Sequence, residues 1–493
     1  MKEQSKLSKV LSILLSVVLV IPSFYLLYQV IRLNVLPSKF LFPLTIGVVV
    51  LDAIFILLLI YFSKNVVSKI ICVVLTLLVC VASCMGGYYI SKTQNVLSSI
   101  TNVAKHAKNT VSVVVKESSS IKNKSQLNGV SVGSLRLNEQ GSKKVLKELS
   151  GEGIVLNQKE YDSMTALLEA FYNGEVDSII INESSRSQIL DMETYSNFDS
   201  NTRVVYQTSY KVKNNDSATS VSDITSKPFN VLISGSDTRG GFDENGRSDV
   251  IMIATVNPKT HTILLTSVPR DFYVTTACDA GDGCMQGALD KITHTGIHGT
   301  NTTKRTVEQL LGIEINYTFK VGFDTVTKLV DTLGGVDVYV EPGYAVHNEY
   351  INVKEGVNHL YGEEALEYAR ERYAYAEGDR QRTKNQQQVL MGIVKEATKP
   401  SVITNYAAIM DTMANTFSTT MSNAEITDLI KYQLNNNPTW KMEQYMVDGT
   451  GDTLMCAELG DAASVMVPDQ STVKMAKDKI NAVLAGKSSE DVK

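Results

Sequence analysis

The chain of 493 residues has few of the side chains on which several common chemistries depend. It contains only six histidines, and the pair His294 and His298, four residues apart, encloses a glycine and no glutamate. This pattern argues against the HExxH type of zinc site. The Gly-Ser-Asp turn at 235–237 does not match the GxSxG elbow of serine hydrolases, and no GxxxxGK[ST] loop for nucleotide phosphates is present.

An excess of positive charge is also lacking outside the first 95 residues. Residues 1–95 carry 8 basic and 2 acidic residues, a balance of +6, whereas the remainder carries 39 basic and 50 acidic residues, a balance of −11. A nucleic-acid-binding protein that works through a broadly basic surface would need the opposite balance in its large portion. We therefore expect no nucleic-acid partner.

Charge is almost absent from three long apolar segments near the N-terminus. Residues 10–31 and 70–90 contain no charged residue, and residues 40–62 contain one, Asp52. Each segment reaches the roughly 20 residues that cross a bilayer, whereas a cleaved signal peptide has a single apolar core of about 7–15 residues. Residues 1–95 are therefore predicted to form a membrane anchor of three transmembrane helices, which disfavours a soluble cytoplasmic enzyme. Asp52 is either a functional carboxylate or a helix–helix contact.

The orientation of this anchor is predicted from the basic residues beside the spans. Five lysines lie in the N-terminal tail and the second loop, against one arginine and one lysine in the first loop. Basic residues favour the cytoplasmic side of the membrane. We therefore expect a multi-pass protein of the cell membrane, with its N-terminus inside and its large C-terminal portion extracytoplasmic.

Two α/β domains are predicted after the anchor. Strands alternate with helical patterns from 129 to 182, and the polar segment 213–227 is typical of a linker. Residues 96–227 are therefore predicted to form an extracytoplasmic accessory α/β domain and linker, beginning with a helical stalk. Residues 228–485 again mix strands and helices, and we expect a second α/β domain with a mixed sheet. Residues 486–493 are predicted to be a disordered tail.

Polar and charged side chains collect at the ends of the predicted strands in the second α/β domain. Such residues often line the ligand cleft of an α/β sheet. Arginine side chains match phosphate oxygens bidentately, and Mg²⁺ prefers one or two carboxylates together with phosphate oxygens. The joint pattern predicts a pyrophosphate site, whereas each cluster alone is more typical of a solvated helix face. The clusters are Asp237, Arg247, Asp249, Arg270 and Asp271 at strand ends, Arg370 and Arg372 on a predicted helix at 362–374, and Asp379, Arg380, Arg382 and Gln386.

The cysteines leave one question open. Cys72, Cys80 and Cys84 lie in the third apolar segment and are expected to pack as apolar side chains. Cys278 and Cys284 are close in sequence, and outside the cell they could form a disulfide or remain free thiols.

Seven motifs, in a fixed order over residues 228–400, give the second α/β domain a family resemblance. It resembles the LytR–CpsA–Psr family, and the three spans with an extra domain resemble its capsule-associated CpsA branch in particular. The motifs are GSDTR (235–239), GRSDVIMIATVNPKT (246–260), SVPRD (267–271), DKITHTGIHG (290–299), LVDTLGGVDV (329–338), ALEYARER (365–372) and GDRQRTKNQQ (378–387).

The resemblance implies a mixed central sheet flanked by helices, with an apolar slot for a polyprenyl tail. The implied activity is phosphotransfer of a capsular or other wall polysaccharide from an undecaprenyl-pyrophosphate carrier to peptidoglycan, assisted by Mg²⁺ or Mn²⁺. The expected partners are the lipid-linked polysaccharide, peptidoglycan and the membrane, and capsule assembly proteins could bind the accessory domain. Two alternatives stay open: a hydrolase that cleaves the same pyrophosphate, and a non-enzymatic regulator of capsule synthesis.

The resemblance also implies roles for individual residues. Asp237, Asp249 and Arg270 are the implied catalytic residues, and the two aspartates are the implied metal ligands. Lys304 is an alternative to Lys291 as the lysine that contacts phosphate. The chain departs from the pattern at Asn385, where many members of the family have arginine. The implied pyrophosphate-binding residues are Arg247, Arg270, Lys291, Arg370, Arg372, Arg382 and Gln386.

Overall fold

The computed structural model describes residues 2–62, 66–101, 106–236, 244–279, 283–399, 401–414 and 417–493. These residues divide into two compact units. The helical unit comprises Met1–Ser99, Ala397–Ala414 and Ser422–Pro438, and the sheet unit comprises Ile100–Glu396, Asn415–Met421 and Thr439–Lys493.

The helices and strands are numbered in chain order. The described part of the chain contains the helices α1 (Lys2–Leu33), α2 (Ser38–Leu57), α3 (Val66–Thr101), α4 (Glu139–Gly151), α5 (Met164–Asn173), α6 (Arg186–Asp191), α7 (Phe198–Asn201), α8 (Thr300–Leu311), α9 (Phe323–Leu333), α10 (Gly362–Arg370), α11 (Asp379–Ala397), α12 (Val402–Met413), α13 (Asn423–Asn436) and α14 (Gln470–Leu484). The strands are β1 (His106–Lys116), β2 (Ser131–Leu135), β3 (Asn157–Tyr161), β4 (Ser178–Asn182), β5 (Thr202–Lys213), β6 (Phe229–Ser236), β7 (Val250–Asn257), β8 (Thr262–Ser267), β9 (Tyr273–Thr275), β10 (Leu289–Lys291), β11 (Tyr317–Gly322), β12 (Val336–Val340), β13 (Val346–His347), β14 (Asn352–Val353), β15 (Gly356–Leu360), β16 (Phe417–Thr419), β17 (Lys441–Met446), β18 (Gly449–Cys456) and β19 (Asp461–Pro468).

Three helices near the N-terminus are long and apolar enough to cross a membrane, as the sequence predicts. They cover Val10–Leu33, Ser38–Tyr61 and Val66–Thr101, so the third helix continues well beyond its apolar segment. Within the spans, Ser23 Oγ donates a hydrogen bond to Asp52 Oδ1 at 2.9 Å and joins α1 to α2. Asp52 therefore makes the helix–helix contact that was one of its two interpretations.

Helices α12 and α13 belong to the same helical unit. Lys92 Nζ on α3 lies 2.7 Å from a carboxylate oxygen of Asp411 on α12. Lys431 Nζ on α13 donates a hydrogen bond to Asn34 Oδ1 at 2.7 Å, in the loop between α1 and α2. Two helices from within residues 228–485 are thus part of the helical unit.

The first part of the sheet unit is the predicted accessory α/β domain. Its five-stranded sheet has the order β3-β2-β4-β1-β5. β2 pairs in parallel with β3 and β4, and β1 pairs antiparallel with β4 and β5. Leu149 of α4 and Leu167 and Phe171 of α5 are fully buried in its core.

The helical stalk predicted at the start of this domain is the end of α3, and strand β1 shows that the stalk is short. Helix α3 does extend to Thr101, but residues from His106 onwards form a strand at the interior of the sheet. Its valines at positions 111 and 113–115 are fully buried. A strand that is buried on both faces does not alternate between apolar and polar residues. In β1 polar residues also flank the apolar run, so the sequence shows no periodic pattern that would indicate a strand.

The C-terminal part of the sheet unit contains a six-stranded sheet in the order β16-β11-β6-β7-β8-β17. β11 runs parallel to its neighbour β6, and β17 runs parallel to its neighbour β8. The central strand β7 pairs antiparallel with both β6 and β8. In the turn between β7 and β8, Asn257 Oδ1 accepts the backbone N–H of Lys259 at 3.1 Å. The predicted mixed sheet is confirmed.

Helices cover both faces of this sheet. On one face, Leu264 of β8 belongs to a core with Val307 of α8 and Ile480 of α14. Side chains alternate between faces along a strand, so Ser267 of β8 faces the other side. There it accepts a hydrogen bond from Gln387 Nε2 of α11 at 2.9 Å. This bond fixes α11, which carries two of the predicted site residues, on the sheet.

The C-terminal tail is ordered, contrary to the prediction for 486–493. Residues Ser489–Asp491 form a short 3₁₀ turn. The buried carboxylate of Glu443 on β17 accepts hydrogen bonds from Ser488 Oγ at 2.7 Å and from the backbone N–H of Ser489 at 2.8 Å. The polar tail is ordered because it satisfies a buried charge at the edge of the sheet, which a local sequence pattern does not reveal.

One disulfide and two hydrogen bonds fix the region after β9. A disulfide joins Cys278 and Cys284, which answers the question left open by their spacing. Asp290 Oδ1 and His294 Nδ1 are hydrogen-bonded at 2.7 Å, and Asp290 Oδ2 accepts the backbone N–H of Glu458 at 2.7 Å. These bonds hold the β18–β19 hairpin beside β10.

Candidate active site

The segment that carries Arg247 and Asp249 leads into β7 and lies beside the end of β6. The backbone N–H of Asp249 donates to Gly235 O at 2.9 Å, next to the antiparallel pairing of β6 and β7. A Cβ on Gly235 would lie 2.9 Å from the Cβ of Val250. The glycine of the GSD motif therefore allows the close approach that fixes Asp249 at the start of β7. Asp237, from the same motif, lies outside the described residues.

A second close approach places the THTG motif against this segment. The 3₁₀ turn Ile292–His298 follows β10, and Thr293 O accepts the backbone N–H of Ser248 at 3.0 Å. A Cβ on Gly296 would lie 2.5 Å from the backbone oxygen of Gly246 and 2.5 Å from Ser248 Oγ. Only glycine permits this contact without a shift, so Gly296 holds the GRSD segment in place.

Asp249 is a carboxylate among arginines. Its Oδ1 accepts a hydrogen bond from Arg270 Nη1 at 2.8 Å and lies 3.8 Å from Arg247 Nε. Burial by itself would raise the pKa of Asp249, but the charges of Arg247 and Arg270 outweigh burial and hold the pKa below its ordinary value. Asp249 is therefore ionised at neutral pH.

Helices α10 and α11 position the other predicted residues. α10 ends at Arg370, so Arg372 follows the helix instead of lying on it, which corrects the predicted helix at 362–374. The C-terminal end of a helix carries partial negative charge, which suits Arg370. On α11, Arg382 and Gln386 are four residues apart and therefore share one face.

Asn385 has a structural role on the buried side of α11. It is fully buried, and its Nδ2 donates hydrogen bonds to Tyr368 O at 3.0 Å and Tyr375 Oη at 3.2 Å. Its Oδ1 accepts a hydrogen bond from Gln381 Nε2 at 3.0 Å. Asn385, which stands where many members of the family have arginine, thus joins α11 to α10 and to the segment between the two helices.

A cavity of about 880 Å³ brings most of the predicted residues together. The remaining lining includes aromatic side chains of the C-terminal domain and a segment of the accessory domain. Seven of the nine predicted site residues line the cavity, namely Arg247, Asp249, Arg270, Arg370, Arg372, Arg382 and Gln386.

Lys291 is not among the residues that line this cavity. Its Nζ lies 3.2 Å from Asp271 Oδ1, and Asp271 Oδ2 lies 3.8 Å from Arg270 Nε. Lys291 therefore lies behind Arg270, separated from it by a carboxylate. The alternative, Lys304, is buried and donates a hydrogen bond to Ser217 O at 3.4 Å. The structure brings neither lysine into the cavity, so the predicted direct contact of Lys291 with phosphate has no support in this arrangement.

Three arginines of the cavity have buried donors that lack a hydrogen-bond partner among the described residues. These donors are the Nε atoms of Arg247, Arg270 and Arg382. Burial lowers the pKa of Arg382, and the positive charges of Arg270 and Arg372 lower it further, despite the ion pair with Asp379. An unpaired buried donor costs roughly 1–3 kcal/mol. A bound polyanion such as pyrophosphate would satisfy the donors and offset the repulsion between the arginines.

The other wall of the cavity belongs to the accessory domain, for which the sequence pattern predicts no chemistry. The turn Glu183–Ser185 and helix α6 directly follow strand β4. Polar residues that follow a strand often line the ligand cleft of an α/β sheet. The same reasoning that points to Arg247 and Arg270 could therefore have identified this segment of the accessory domain. The accessory residues in the lining are Glu183, Ser184, Ser187, Leu190 and Asp191.

The chain matches the model of one family of proteins. The model of the LytR_cpsA_psr family matches residues 194–482, more than half of the chain, and the chain therefore belongs to this family. A similar protein is the polyisoprenyl-teichoic acid–peptidoglycan teichoic acid transferase TagU of Bacillus subtilis (strain 168), which is 35% identical over 196 residues, 40% of this chain and 60% of TagU. TagU of Bacillus cereus (strain AH820) is 31% identical over 207 residues, 42% of this chain and 65% of that protein.

The similarity covers less than two thirds of the length of these two relatives. Among solved structures, protein gbs0355 from Streptococcus agalactiae is 26% identical to this chain with a TM-score of 0.46. The match covers 53% of this chain and 89% of gbs0355.

Proposed function

We propose that the protein is a membrane-anchored glycopolymer transferase that moves a polysaccharide from a polyprenyl-pyrophosphate carrier to peptidoglycan. Membership of the family supports this class of reaction, because the TagU relatives are named as transferases that join polyisoprenyl-linked teichoic acid to peptidoglycan. Undecaprenyl is the proposed carrier lipid, held in an apolar slot, and a capsular or other wall polysaccharide is the proposed cargo. The three apolar helices and the accessory domain favour the capsule-associated branch.

The convergence of arginines in one cavity carries the proposal. Five arginines and two carboxylates, Asp249 and Glu371, from the GRSD, PRD, RER and GDRQR motifs line it. Guanidinium groups bind phosphate oxygens bidentately. Donors that are fixed before the substrate arrives stabilise charge as it develops on a phosphoryl group.

The proposed chemistry is attack by a hydroxyl of peptidoglycan on the phosphorus nearest the sugar. The new oxygen–phosphorus bond forms while the bridging bond breaks, and the lipid monophosphate leaves with the electron pair. Arg270 and Arg382 neutralise charge on the transferred group. Asp249 is a weak candidate for the general base, since its pKa is held below its ordinary value and an efficient base has a pKa near the working pH. Asp237 is the other candidate to accept the proton of the attacking hydroxyl.

Mg²⁺ or Mn²⁺ is the proposed cofactor, held by Asp249 and Asp237. Among the described residues, no group of three or more His, Cys, Asp or Glu is placed to hold an ion alone. This donor set fits Mg²⁺, which usually combines one or two carboxylates with phosphate oxygens of a substrate. The cation would supply further neutralisation of phosphoryl charge.

The site is proposed to face the outside of the cell. The basic residues beside the spans favour an N-terminus inside. The disulfide between Cys278 and Cys284 supports the same side, because disulfides persist in oxidising compartments. A lipid-linked donor and peptidoglycan are both accessible there.

A transfer assay with the full chain in detergent tests the proposal. The assay contains a lipid-pyrophosphate-linked saccharide, Mg²⁺ and peptidoglycan, and it follows saccharide attached to peptidoglycan. Arg270→Ala and Arg382→Ala should each lower the rate about 100-fold or more, since each removes a buried positive charge from the site. Arg305→Ala is the matched control, because Arg305 pairs with Asp279 and does not line the cavity.

The rates and products of this assay distinguish the transferase from a hydrolase and from a regulator. Wild-type rates in the Arg270→Ala and Arg382→Ala proteins would show that the site is wrongly assigned. Saccharide released free into solution, with none attached to peptidoglycan, would favour the hydrolase. Tight binding of the donor without any turnover would favour a regulator.

A further inference from the structure

Besides the ion pair between Asp191 and Arg247, two contacts fix the accessory domain against the C-terminal domain. Glu244, which is 4% exposed and lines the cavity, pairs with Lys108 of β1 at 3.2 Å and accepts a hydrogen bond from Thr110 Oγ1. At the second place, the backbone N–H of Thr165 donates to Leu459 O at 3.2 Å. The accessory domain is therefore docked, and its position relative to the cavity is defined.

The segment 183–191, named here the accessory wall, is held rigidly. Arg186 is 8% exposed and binds the two carboxylate oxygens of Glu183 at 2.6 and 2.8 Å and Asp199 at 2.9 Å. Its guanidinium lies 5.4 Å from the ring centroid of Phe198. Side chains on such a supported segment keep their positions when a ligand binds.

The accessory wall contributes polar residues to the lining of the cavity. Ser184, Ser187 and Asp191 line it. Ser184 Oγ is buried, and in the described part of the chain it has no hydrogen-bond partner. Asp191 pairs with Arg247, so the accessory wall adjoins the arginine cluster directly. A buried hydroxyl without a partner favours a ligand that supplies one.

The size and chemistry of the cavity indicate which ligand this is. A volume of about 880 Å³ is typical of pockets for drug-sized ligands and exceeds the need of a pyrophosphate alone. An apolar chain against the accessory wall would leave Ser184 Oγ unpaired, whereas a sugar would supply hydroxyl partners. Tyr350 and Tyr373, 66% and 85% exposed, offer flat ring faces in the same cavity.

We propose that the accessory wall binds the sugar attached to the pyrophosphate of the donor, through Ser184 and Ser187. The accessory domain then completes the site and contributes to the choice of glycopolymer. This inference rests on the proposed function, because it places a pyrophosphate on the neighbouring arginines.

Binding of two probes to the full chain in detergent tests the inference. One probe is a polyprenyl pyrophosphate without a sugar, and the other is the same lipid pyrophosphate carrying one N-acetylhexosamine. The wild-type protein should bind the sugar-bearing probe more tightly. The double variant Ser184→Ala/Ser187→Ala should bind that probe about 10-fold more weakly and the bare probe unchanged. Ser150→Ala/Ser200→Ala, at exposed serines of the same domain outside the cavity, is the matched control.

Each other result has a defined meaning. A double variant that keeps the wild-type preference for the sugar-bearing probe overturns the inference and leaves the proposed function intact. Equal weakening for both probes also overturns it, because the accessory wall would then act on the pyrophosphate. If wild-type protein binds neither probe, the proposed function itself fails. Thermal unfolding verifies that the double variant is folded, and the two single variants carry the same test if it is not.

Discussion

Asp249 leaves the arginines around it available to a ligand. It binds Arg270 through one oxygen and lies near Arg247, yet both guanidinium groups keep a buried Nε without a partner among the described residues. A carboxylate in this position reduces the repulsion between arginines while the protein is free. It also orients the donors before a phosphate arrives, which is the arrangement that stabilises developing charge best.

Replacement of Asp249 by asparagine should affect both the rate of transfer and its dependence on Mg²⁺. The change keeps the shape of the side chain and removes its charge, so we expect a rate about 100-fold lower. The Mg²⁺ concentration at half-maximal rate should rise, because a metal ligand is lost. Rates measured over a series of Mg²⁺ concentrations check both expectations, with Asp452→Asn, at an exposed aspartate of β18, as the control. An unchanged Mg²⁺ dependence would argue against Asp249 as a ligand.

Residue types at strand ends and in the helical RER and GDRQR motifs predict most of the candidate site, but they do not predict which charges pair with each other. Arg247, Arg270 and Arg382 line the cavity as expected. Lys291 belongs to an equally specific motif, yet Asp271 binds it outside the cavity. Which cation a carboxylate selects depends on three-dimensional distances, and these are invisible in a linear motif.

Close contacts between elements decide where the arginines lie. The turn Ile292–His298 approaches the GRSD segment through Gly296, and Gln387 fixes α11 on the sheet. Gln387 Nε2 also donates a hydrogen bond to Tyr445 O of β17 at 2.8 Å. The geometry of the site thus depends on residues that do not contact the cavity.

Gly296→Ala should lower transfer without unfolding the protein. The added Cβ would lie 2.5 Å from the backbone oxygen of Gly246, so the GRSD segment must shift. Misplacement of catalytic groups by about 1 Å can cost roughly 100-fold, and we expect at least a tenfold loss. Transfer rate and thermal unfolding are both measured. Gly151→Ala is the control, because no atom lies within 4 Å of the added Cβ there. A normal rate for Gly296→Ala would contradict this positioning role.

Glu443→Gln should destabilise the edge of the sheet near β17 in a pH-dependent manner. Burial alone would raise the pKa of Glu443, but Lys441 and the hydrogen bonds from Ser489 and Ser488 lower it from 4.5 to about 2. A lowered pKa stabilises the folded state fully above about pH 4.5, and this stabilisation is lost as the pH falls towards 2. We expect the free energy of unfolding to drop by on the order of 1–3 kcal/mol at pH 7.

Trp440, the only tryptophan of the chain, is a local probe for this change. Its fluorescence in urea titrations should show a lower midpoint for Glu443→Gln at pH 7. The difference from wild type should shrink between pH 4.5 and pH 2. A difference that is constant with pH would mean that the charge of Glu443 is not its cause.

Hydrophobic patterns predict the elements of this fold unevenly. The mixed sheet and the alternation of strands and helices within residues 228–485 are found as predicted. Strand β1 and the tail at 486–493 are not, because their order comes from partners distant in the sequence. Local propensity is overridden where tertiary contacts dominate.

At the scale of the whole molecule, two domains of the sheet unit share one cavity. Asp191 of the accessory domain and Arg247 of the C-terminal domain form an ion pair beside it. The membrane helices and the acidic remainder of the chain account for the uneven distribution of charge along the sequence.

The side of the membrane on which this cavity lies can be measured directly. An alkaline phosphatase fused after residue 95 is active only outside the cytoplasm, and we expect activity there, because an N-terminus inside and three spans lead to that side. A fusion after residue 64, in the second loop, is the matched control and should be inactive. The reverse pattern would overturn the proposed orientation.

The position of β17 after α11 in the sequence has a consequence for synthesis. Helix α11 carries Arg382 and Gln386, and one of its anchoring bonds, from Gln387 to Tyr445 O, exists only when Lys441–Met446 has joined the sheet. A chain that emerges N-terminus first completes its membrane helices and accessory domain before this strand is made. The bond from Gln387 to Tyr445 O therefore forms after the accessory domain is made, whereas the bond from Gln387 to Ser267 of β8 does not depend on β17.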